Sequence, residues 1–461
     1  MLNVSGVIYG VYFTVRINAS CYRYMMIKEK AEKIIQNEIK IIASSKIHGL
    51  DGLRDIAASI VLLTHMSGWG YNLFGIDFHG IGRSGVVLFF VLSSFLLTSQ
   101  ILSWTPQLLF SPKRWLSYLE ARILRIWPLF LCVLAFSLFT SYLHLIPIIW
   151  RAAPIIEHLP VRMTWDSLQE HLLMRKGEDI LWTIPVEFKF YLLLPLILMA
   201  IMIPLRNHRA VSISVLGTVI LTAFWLTPVA SGDVNTFPFI GVFLTGVLLA
   251  IVRRQDIEKK NICQLHLVLY ELLAWLCFAI FVCLIPSVYF YITNMVMPIT
   301  QEKGHSLYAT LWALMILCML RGSGFMRLIL DSRLLVFLGM ISFSLYLWHR
   351  IPINLMHRLT YFHYIDFLSH EMKTGIILLM SIGMAYLSYT LIEHPILQWK
   401  ARRKISNIND GTTDFQNGVT SDSSTTTAIS PIFVHLTNPW IKCIGRIESF
   451  IKFLQATFRR I

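Results

Sequence analysis

The feature that most constrains this chain is a series of apolar runs, many of them about 20 residues long, separated by polar connections. A helix rising about 1.5 Å per residue needs about that length to cross roughly 30 Å of hydrocarbon. Composition agrees. The 461 residues are 56% hydrophobic and only 14% charged, where soluble domains average about 25% charged. The mean hydropathy is +0.62. A soluble core would not repeat its apolar runs at the thickness of a bilayer. The expected fold class is therefore all-α, a polytopic transmembrane bundle of about ten helices.

The expected spans are Ile56–Phe74, Gly85–Ile101, Ile123–Ile146, Ile184–Ile203, Val211–Leu226, Phe237–Val252, Leu265–Ile285, Leu307–Leu320, Leu334–Trp348 and Thr374–Leu397. Basic residues give them a direction, because connections rich in Lys and Arg stay cytoplasmic. With the first span starting inside, the inner connections hold Lys113, Arg114, Arg122 and Arg125, then Arg253, Arg254, Lys259 and Lys260, then Arg321, Arg327 and Arg333. Lys400, Arg402, Arg403 and Lys404 follow the last span. The inner side carries about twice the basic residues of the outer side, which places both termini in the cytoplasm and the bundle in the cell's inner membrane.

The same clustering accounts for the net charge of +14. No basic and aromatic module suited to nucleic acid stands out, so the lipid bilayer is the expected partner and nucleic acid is not. The seven cysteines form no CxxC pair, which gives no support for a metal site. Residues 1–46 are expected to form an N-terminal cytoplasmic extension. Its apolar stretch Leu2–Val15 is short and lacks a basic leader, unlike a signal peptide. Residues 405–430 are rich in Ser, Thr, Asn, Asp and Gly and read as a flexible linker. Beyond it, in 431–461, Trp440, Ile444, Ile447, Ile451, Leu454 and Phe458 recur at spacings of four and three among Lys442, Arg446, Lys452, Arg459 and Arg460. That is a basic amphipathic helix, suited to an anionic leaflet or to packing on the bundle.

Within the intervening membrane domain, 47–400, polar residues in apolar surroundings are the functional candidates, since lipid tolerates them poorly. Arg54 and His65 stand on the first span about eleven helical steps apart, roughly 16 Å along the axis. That puts His65 near mid-membrane, where an imidazole fits ordinary packing or proton transfer. The second span contains Ser93 and Ser94. Arg122 and Arg125 are three apart and share a helix face at the entry to the third span; they suit phosphate forks or interface anchoring. The fourth span opens Leu181-Trp182-Thr183-Ile184-Pro185-Val186-Glu187, and the Glu187 carboxylate, about one turn inside the outer edge, needs a partner or a role. Tyr346 and His349 close the ninth span, and Glu393 closes the tenth, within charge-pairing range of the inner arginines.

Taken in order, Leu50–His65, Gly85–Leu96, Arg122–Pro128, Leu181–Pro195, Ser342–His349 and Leu391–Pro395 resemble the acyltransferase 3 family of multi-pass membrane acyltransferases. The likeness covers roughly residues 46–400. It implies transfer of a small acyl group, most often acetyl, from cytoplasmic acyl-coenzyme A to a hydroxyl of a surface polysaccharide or other glycan. The family's paired arginine and histidine match Arg54 and His65, its double-arginine motif matches Arg122 and Arg125, and its tryptophan–glutamate motif matches Trp182 and Glu187. One position departs: the second-span motif normally ends Ser-Gly, and here it is Ser93-Ser94. The added β-carbon and hydroxyl put the fit at that spot, and with it donor preference, in question. Some relatives carry a further extracytoplasmic hydrolase-like domain, for which the segment after residue 400 is expected to be too short.

The resulting expectation is an acyltransferase with a reaction channel through the membrane. His65, Arg54 and Glu187 are its catalytic candidates. Arg122, Arg125, Ser93 and Ser94 are its donor-site candidates, with Trp182, Tyr346, His349 and Glu393 nearby. Acyl-coenzyme A is a substrate, and no bound cofactor is expected. Direct transfer and a transient acyl-histidine both fit. The rival class is a multi-pass exporter of an acylated small molecule, which intramembrane polar residues would also suit.

Overall fold

The computed structural model describes residues 47–104, 106–143, 153–205, 209–226, 234–258, 264–298, 304–400 and 402–403. The N-terminal extension, the linker and the C-terminal amphipathic helix expected from the sequence lie outside them. The bundle described here belongs to the compact unit that ends at Gln398.

Among the described residues the fold is helical, with one isolated bridge between Leu73 and Ile76. The principal helices are α1 (Leu50–Ser67), α2 (Gly82–Leu102), α3 (Pro112–Ser141), α4 (Trp165–Leu172), α5 (Thr183–Leu205), α6 (Arg209–Leu226), α7 (Ile240–Glu258), α8 (Gln264–Cys283), α9 (His305–Arg321), α10 (Phe325–Leu330), α11 (Arg333–Met340), α12 (Ser342–Trp348), α13 (Arg350–Tyr361) and α14 (His370–Ser388). Among the described residues, six helical segments are long and apolar enough to cross a membrane, or seven if the bent pair α11 and α12–α13 counts as one. The expected ten is not confirmed among these residues. The shortfall has physical causes: α1 carries Asp51, Arg54 and Asp55 in its first turns, and the apolar parts of α6 and α9 are short.

The surface supports a lipid environment. On α8, Leu265, Val268, Leu269, Leu272 and Leu276 are all exposed, at spacings of three and four that align them on one face. Such a stripe would be an aggregation site in water.

At the centre stands α2, the most buried of the spans. It packs most extensively against α7 and then α1. Small residues make both contacts close. A Cβ built on Gly85 would lie 2.6 Å from the Ala57 carbonyl of α1, and one on Gly246 of α7 would lie 2.0 Å from Ser94 Oγ. Backbones that approach this closely gain dispersion contacts that lipid cannot supply. The start of α1 is held from outside the helix: Gly49 has a left-handed φ of 85°, and its amide donates to Asp331 Oδ1 at 2.8 Å.

Two departures from regular helix shape the site. The first span stops early, at Ser67 rather than Phe74, with Gly70 at a φ of 82° following. His65 therefore stands at the end of its helix rather than at mid-span. The ninth span does not run straight through Leu334–Trp348. It breaks at Ile341, where α11 meets the α12–α13 segment at 57°. A second interruption falls at His349. Pro352 has no amide to offer the Trp348 carbonyl four residues back. After α14 a single π-helical turn, Tyr389–Glu393, carries Glu393 into the interior.

Candidate active site

Four helices deliver the polar groups. Arg54 from α1, Ser93 from α2, Arg122 and Arg125 from α3, and Glu187 from α5 line one cavity of about 100 Å³, together with Tyr191, Phe89 and Phe343. Arg54 forms an ion pair with Asp51 at 2.8 Å. The Arg122 guanidinium sits over the Tyr191 ring, 6.0 Å from its centroid, and its Nε is buried without a hydrogen-bond partner. Arg125 lies within electrostatic reach of both Arg54 and Glu393. Glu393 itself accepts a hydrogen bond from Ser344 Oγ at 2.5 Å.

Glu187 is one turn into α5, as the sequence indicates, yet it lies beside Ser93, halfway along α2. The hydroxyls of Ser93 and Tyr191 both donate to its carboxylate, and those two hydroxyls are 3.0 Å from each other. The carboxylate is thus held by hydroxyls rather than by an arginine; Arg54 is paired with Asp51, and Arg125 has Glu393 within electrostatic reach. Sequence reasoning missed Tyr191. Its signal was present, since Glu187 and Tyr191 are four apart and share a helix face.

A second cavity, of about 40 Å³, adjoins the first and shares Phe89, Glu187 and Phe343 with it. It is also lined by Thr183 and Tyr346. The Thr183 hydroxyl donates to Tyr346 Oη at 3.0 Å, and the tyrosine donates to the Ile180 carbonyl at 2.8 Å. One helical turn beyond Tyr346 is His349, and His349 meets His65. His65 Nδ1 and His349 Nε2 are 2.7 Å apart, the ring planes agree within 11°, and the ring centroids are 5.0 Å apart. That spacing is an N···N hydrogen bond plus two ring radii, so the imidazoles are coplanar and joined edge to edge. His65 lines neither of the two cavities. Its electrostatic surroundings include Arg350 and His79, and Arg350 Nε donates to Asp179 at 2.5 Å.

Arg54 and His65 share a helix face: about eleven steps at about 100° each come close to three full turns. The candidates thus run from the three arginines, past Ser93, Glu187 and Tyr191, to Thr183 and Tyr346, and end at the histidine pair.

Three candidates fall outside this line: Glu393, held by Ser344 and lining neither cavity, then Ser94 and Trp182. Ser94, expected in the donor site, is fully buried against α7 and lines neither cavity; its hydroxyl donates to the carbonyls of Phe90 at 2.9 Å and Val91 at 3.1 Å. One residue after Ser93 in a helix, it faces about 100° away. Trp182 packs in an aromatic cluster with Phe239, at 5.2 Å between centroids, and Phe90, at 6.2 Å, beneath Arg83. No group of three or more metal-ligating side chains occurs among the described residues.

A family model described as an acyltransferase domain matches residues 47–393, nearly the whole described bundle. The chain belongs to the acyltransferase 3 family. Curated relatives of this acyltransferase 3 protein include one from Staphylococcus aureus (strain COL), provisionally named an O-acetyltransferase, 25% identical over 76% of this chain and 57% of its own length. The O-acetyltransferase OatA of S. aureus (strain NCTC 8325 / PS 47) is 24% identical over 77% of this chain and 58% of its own. The peptidoglycan O-acetyltransferase OatA of Listeria monocytogenes is 24% identical over 66% of this chain and 49% of its own. The chain spans about half to three-fifths of these relatives' length. No solved structure matches.

Proposed function

We propose that this protein is a membrane O-acyltransferase that moves an acyl group, acetyl in the first instance, from cytoplasmic acyl-coenzyme A to a hydroxyl of a cell-surface glycan. The observation that carries the reading is the arginine cavity: three guanidiniums converge there, and Arg122 Nε is buried without a partner. An orphaned buried donor costs about 1–3 kcal/mol, and phosphate oxygens would satisfy it. The donor's phosphates bind Arg54, Arg122 and Arg125 from the cytoplasm. Its acyl arm extends along Phe89, Glu187 and Phe343 toward His65, and the acceptor hydroxyl arrives from the other side.

His65 Nε2 takes the proton from that hydroxyl as its oxygen attacks the thioester carbonyl. The carbon–sulfur bond breaks, and the thiolate leaves with the proton from the imidazolium. General base catalysis of this kind is worth typically 10²–10⁴-fold. The relatives' names point to acetyl as the group and, in one case, to peptidoglycan as the acceptor.

The test uses purified full-length protein in lipid nanodiscs. Release of free thiol from acetyl-coenzyme A is followed with water alone and with chitopentaose as the hydroxyl probe. Wild type should release thiol, and His65→Gln should lose that release while remaining folded. Arg122→Ala/Arg125→Ala should weaken acetyl-coenzyme A binding about tenfold or more, since each charge-assisted contact is worth about 1.5–3 kcal/mol. A wild type that binds acylated molecules but releases no thiol would make the chain an exporter. Full turnover in His65→Gln would remove the base from this mechanism.

A further inference from the structure

The bonding around His349 decides which nitrogen of His65 is free. His349 is buried, and its three polar contacts are two carbonyls and one imidazole. Its Nδ1 lies 2.8 Å from the Tyr346 carbonyl and 3.2 Å from that of Leu345. A carbonyl oxygen only accepts, so Nδ1 carries the proton. A buried imidazole with no carboxylate bonded to it stays neutral. Asp179, the acidic group within its electrostatic reach, is paired with Arg350. The Nε2 of His349 therefore holds a lone pair. That lone pair faces His65 Nδ1 at 2.7 Å, in the plane of both rings. His65 must therefore be the donor of the shared hydrogen bond, through Nδ1–H. Its own lone pair then lies on Nε2, which has no hydrogen-bond partner among the described residues and is not among the sealed polar atoms.

We infer that His349 is a positioning residue that sets the tautomer of His65, so that Nε2 of His65 is the proton acceptor in acyl transfer. The inference rests on the proposed role of His65 and adds the device that makes its ring competent. The chain of command starts at the backbone. The Tyr346 carbonyl, one turn back on the same segment, holds the His349 ring. That ring orients His65 from 284 positions away in sequence. When Nε2 accepts the hydroxyl proton, the new imidazolium keeps Nδ1–H on the His349 lone pair, which stabilises the charge as it forms.

The two side-chain amides separate this role from packing. Glutamine places an oxygen near the position of His349 Nε2, and asparagine places its polar atoms near Nδ1. His349→Gln should keep thiol release within about tenfold of wild type, because an acceptor remains for His65. His349→Asn should lose about 100-fold in kcat, within the range that a general base contributes. Its KM for acetyl-coenzyme A should stay within about twofold. Equal damage in the two variants, or a loss that lies in KM, would assign His349 to structure alone and overturn the inference.

A second measurement needs no damaging substitution. In protein carrying ¹⁵N-histidine, with signals assigned by their disappearance in His65→Gln and His349→Gln, both residues should show protonated Nδ1 and bare Nε2. An Nε2–H on His65 overturns the inference whatever the variants do. If instead His65→Gln turns over normally, the proposed function of His65 fails, and the tautomer assignment is judged by the spectrum alone.

Discussion

Ser94 and Gly246 form a matched pair across α2 and α7, and they account for the serine that stands where the family's second-span motif normally has glycine. The hydroxyl folds back onto its own helix, and the space it needs is supplied by a glycine opposite. A wider acyl path is therefore not the expected result of Ser94→Gly. That variant should leave donor preference unchanged in a competition between acetyl- and butyryl-coenzyme A, at a stability cost of about 1 kcal/mol for glycine within a helix. Gly246→Ala should be far worse, with a Cβ 2.0 Å from Ser94 Oγ and 2.4 Å from the Val91 carbonyl. Forced overpacking of this kind costs about 1–3 kcal/mol and sometimes more. Combining the two should restore little, because the Val91 carbonyl still obstructs. Thermal unfolding in nanodiscs checks all three, and a change of donor profile in Ser94→Gly would return that position to the acyl path.

At the scale of elements, the connection between α3 and α5 carries its own acid-sensitive joint. Thr164 caps α4 by accepting the Ser167 amide at 3.2 Å. At the other end His171 is buried; its Nδ1–H donates to the Ser167 carbonyl at 2.7 Å, and its Nε2 accepts the Glu178 amide at 3.3 Å. Burial pushes this imidazole below its ordinary value. The undocked segment then binds the proton more readily than the docked one, so docking is fully stable above the ordinary histidine value of about 6.5 and weakens as pH falls through it. Amide exchange across residues 165–182, taken relative to its intrinsic rate at each pH, should rise between pH 7.5 and 5, and His171→Gln, which does not titrate there, should flatten that dependence. Exchange indifferent to pH would mean the histidine only fills space.

Elements also show where the sequence was legible. Position along a helix could be read, because it follows from counting residues: Glu187 one turn into α5, and Arg122 and Arg125 on one face. Lateral arrangement could not. Nothing linear says that Ser93 faces Glu187 while Ser94 faces Gly246, or that residues as distant as His65 and His349 share a proton. The bend at Ile341 was equally hidden, since apolar periodicity runs straight through it. Two glycines after Ser67 were the overlooked sign that the first helix ends early and leaves His65 near its tip.

For the whole molecule, the two cavities meet at Phe89, Glu187 and Phe343, and the smaller has room for little more than a water or two at about 40 Å³. An enzyme that, as proposed, draws its two substrates from opposite faces of a bilayer would sit astride the cell's battery. Each 100 mV drives a proton across with about 2.3 kcal/mol, and an unbroken file of arginine, carboxylate, hydroxyl and imidazole would let it run. Phe89 and Phe343, which line both cavities, would then serve as an insulator that yields to an acyl chain and not to an ion. Phe89→Ala should therefore short-circuit the membrane. Liposomes holding the variant should lose an imposed proton gradient faster than liposomes holding wild type, and added acetyl-coenzyme A should slow the loss by refilling the gap. Equally tight vesicles would place the insulation elsewhere in the bundle.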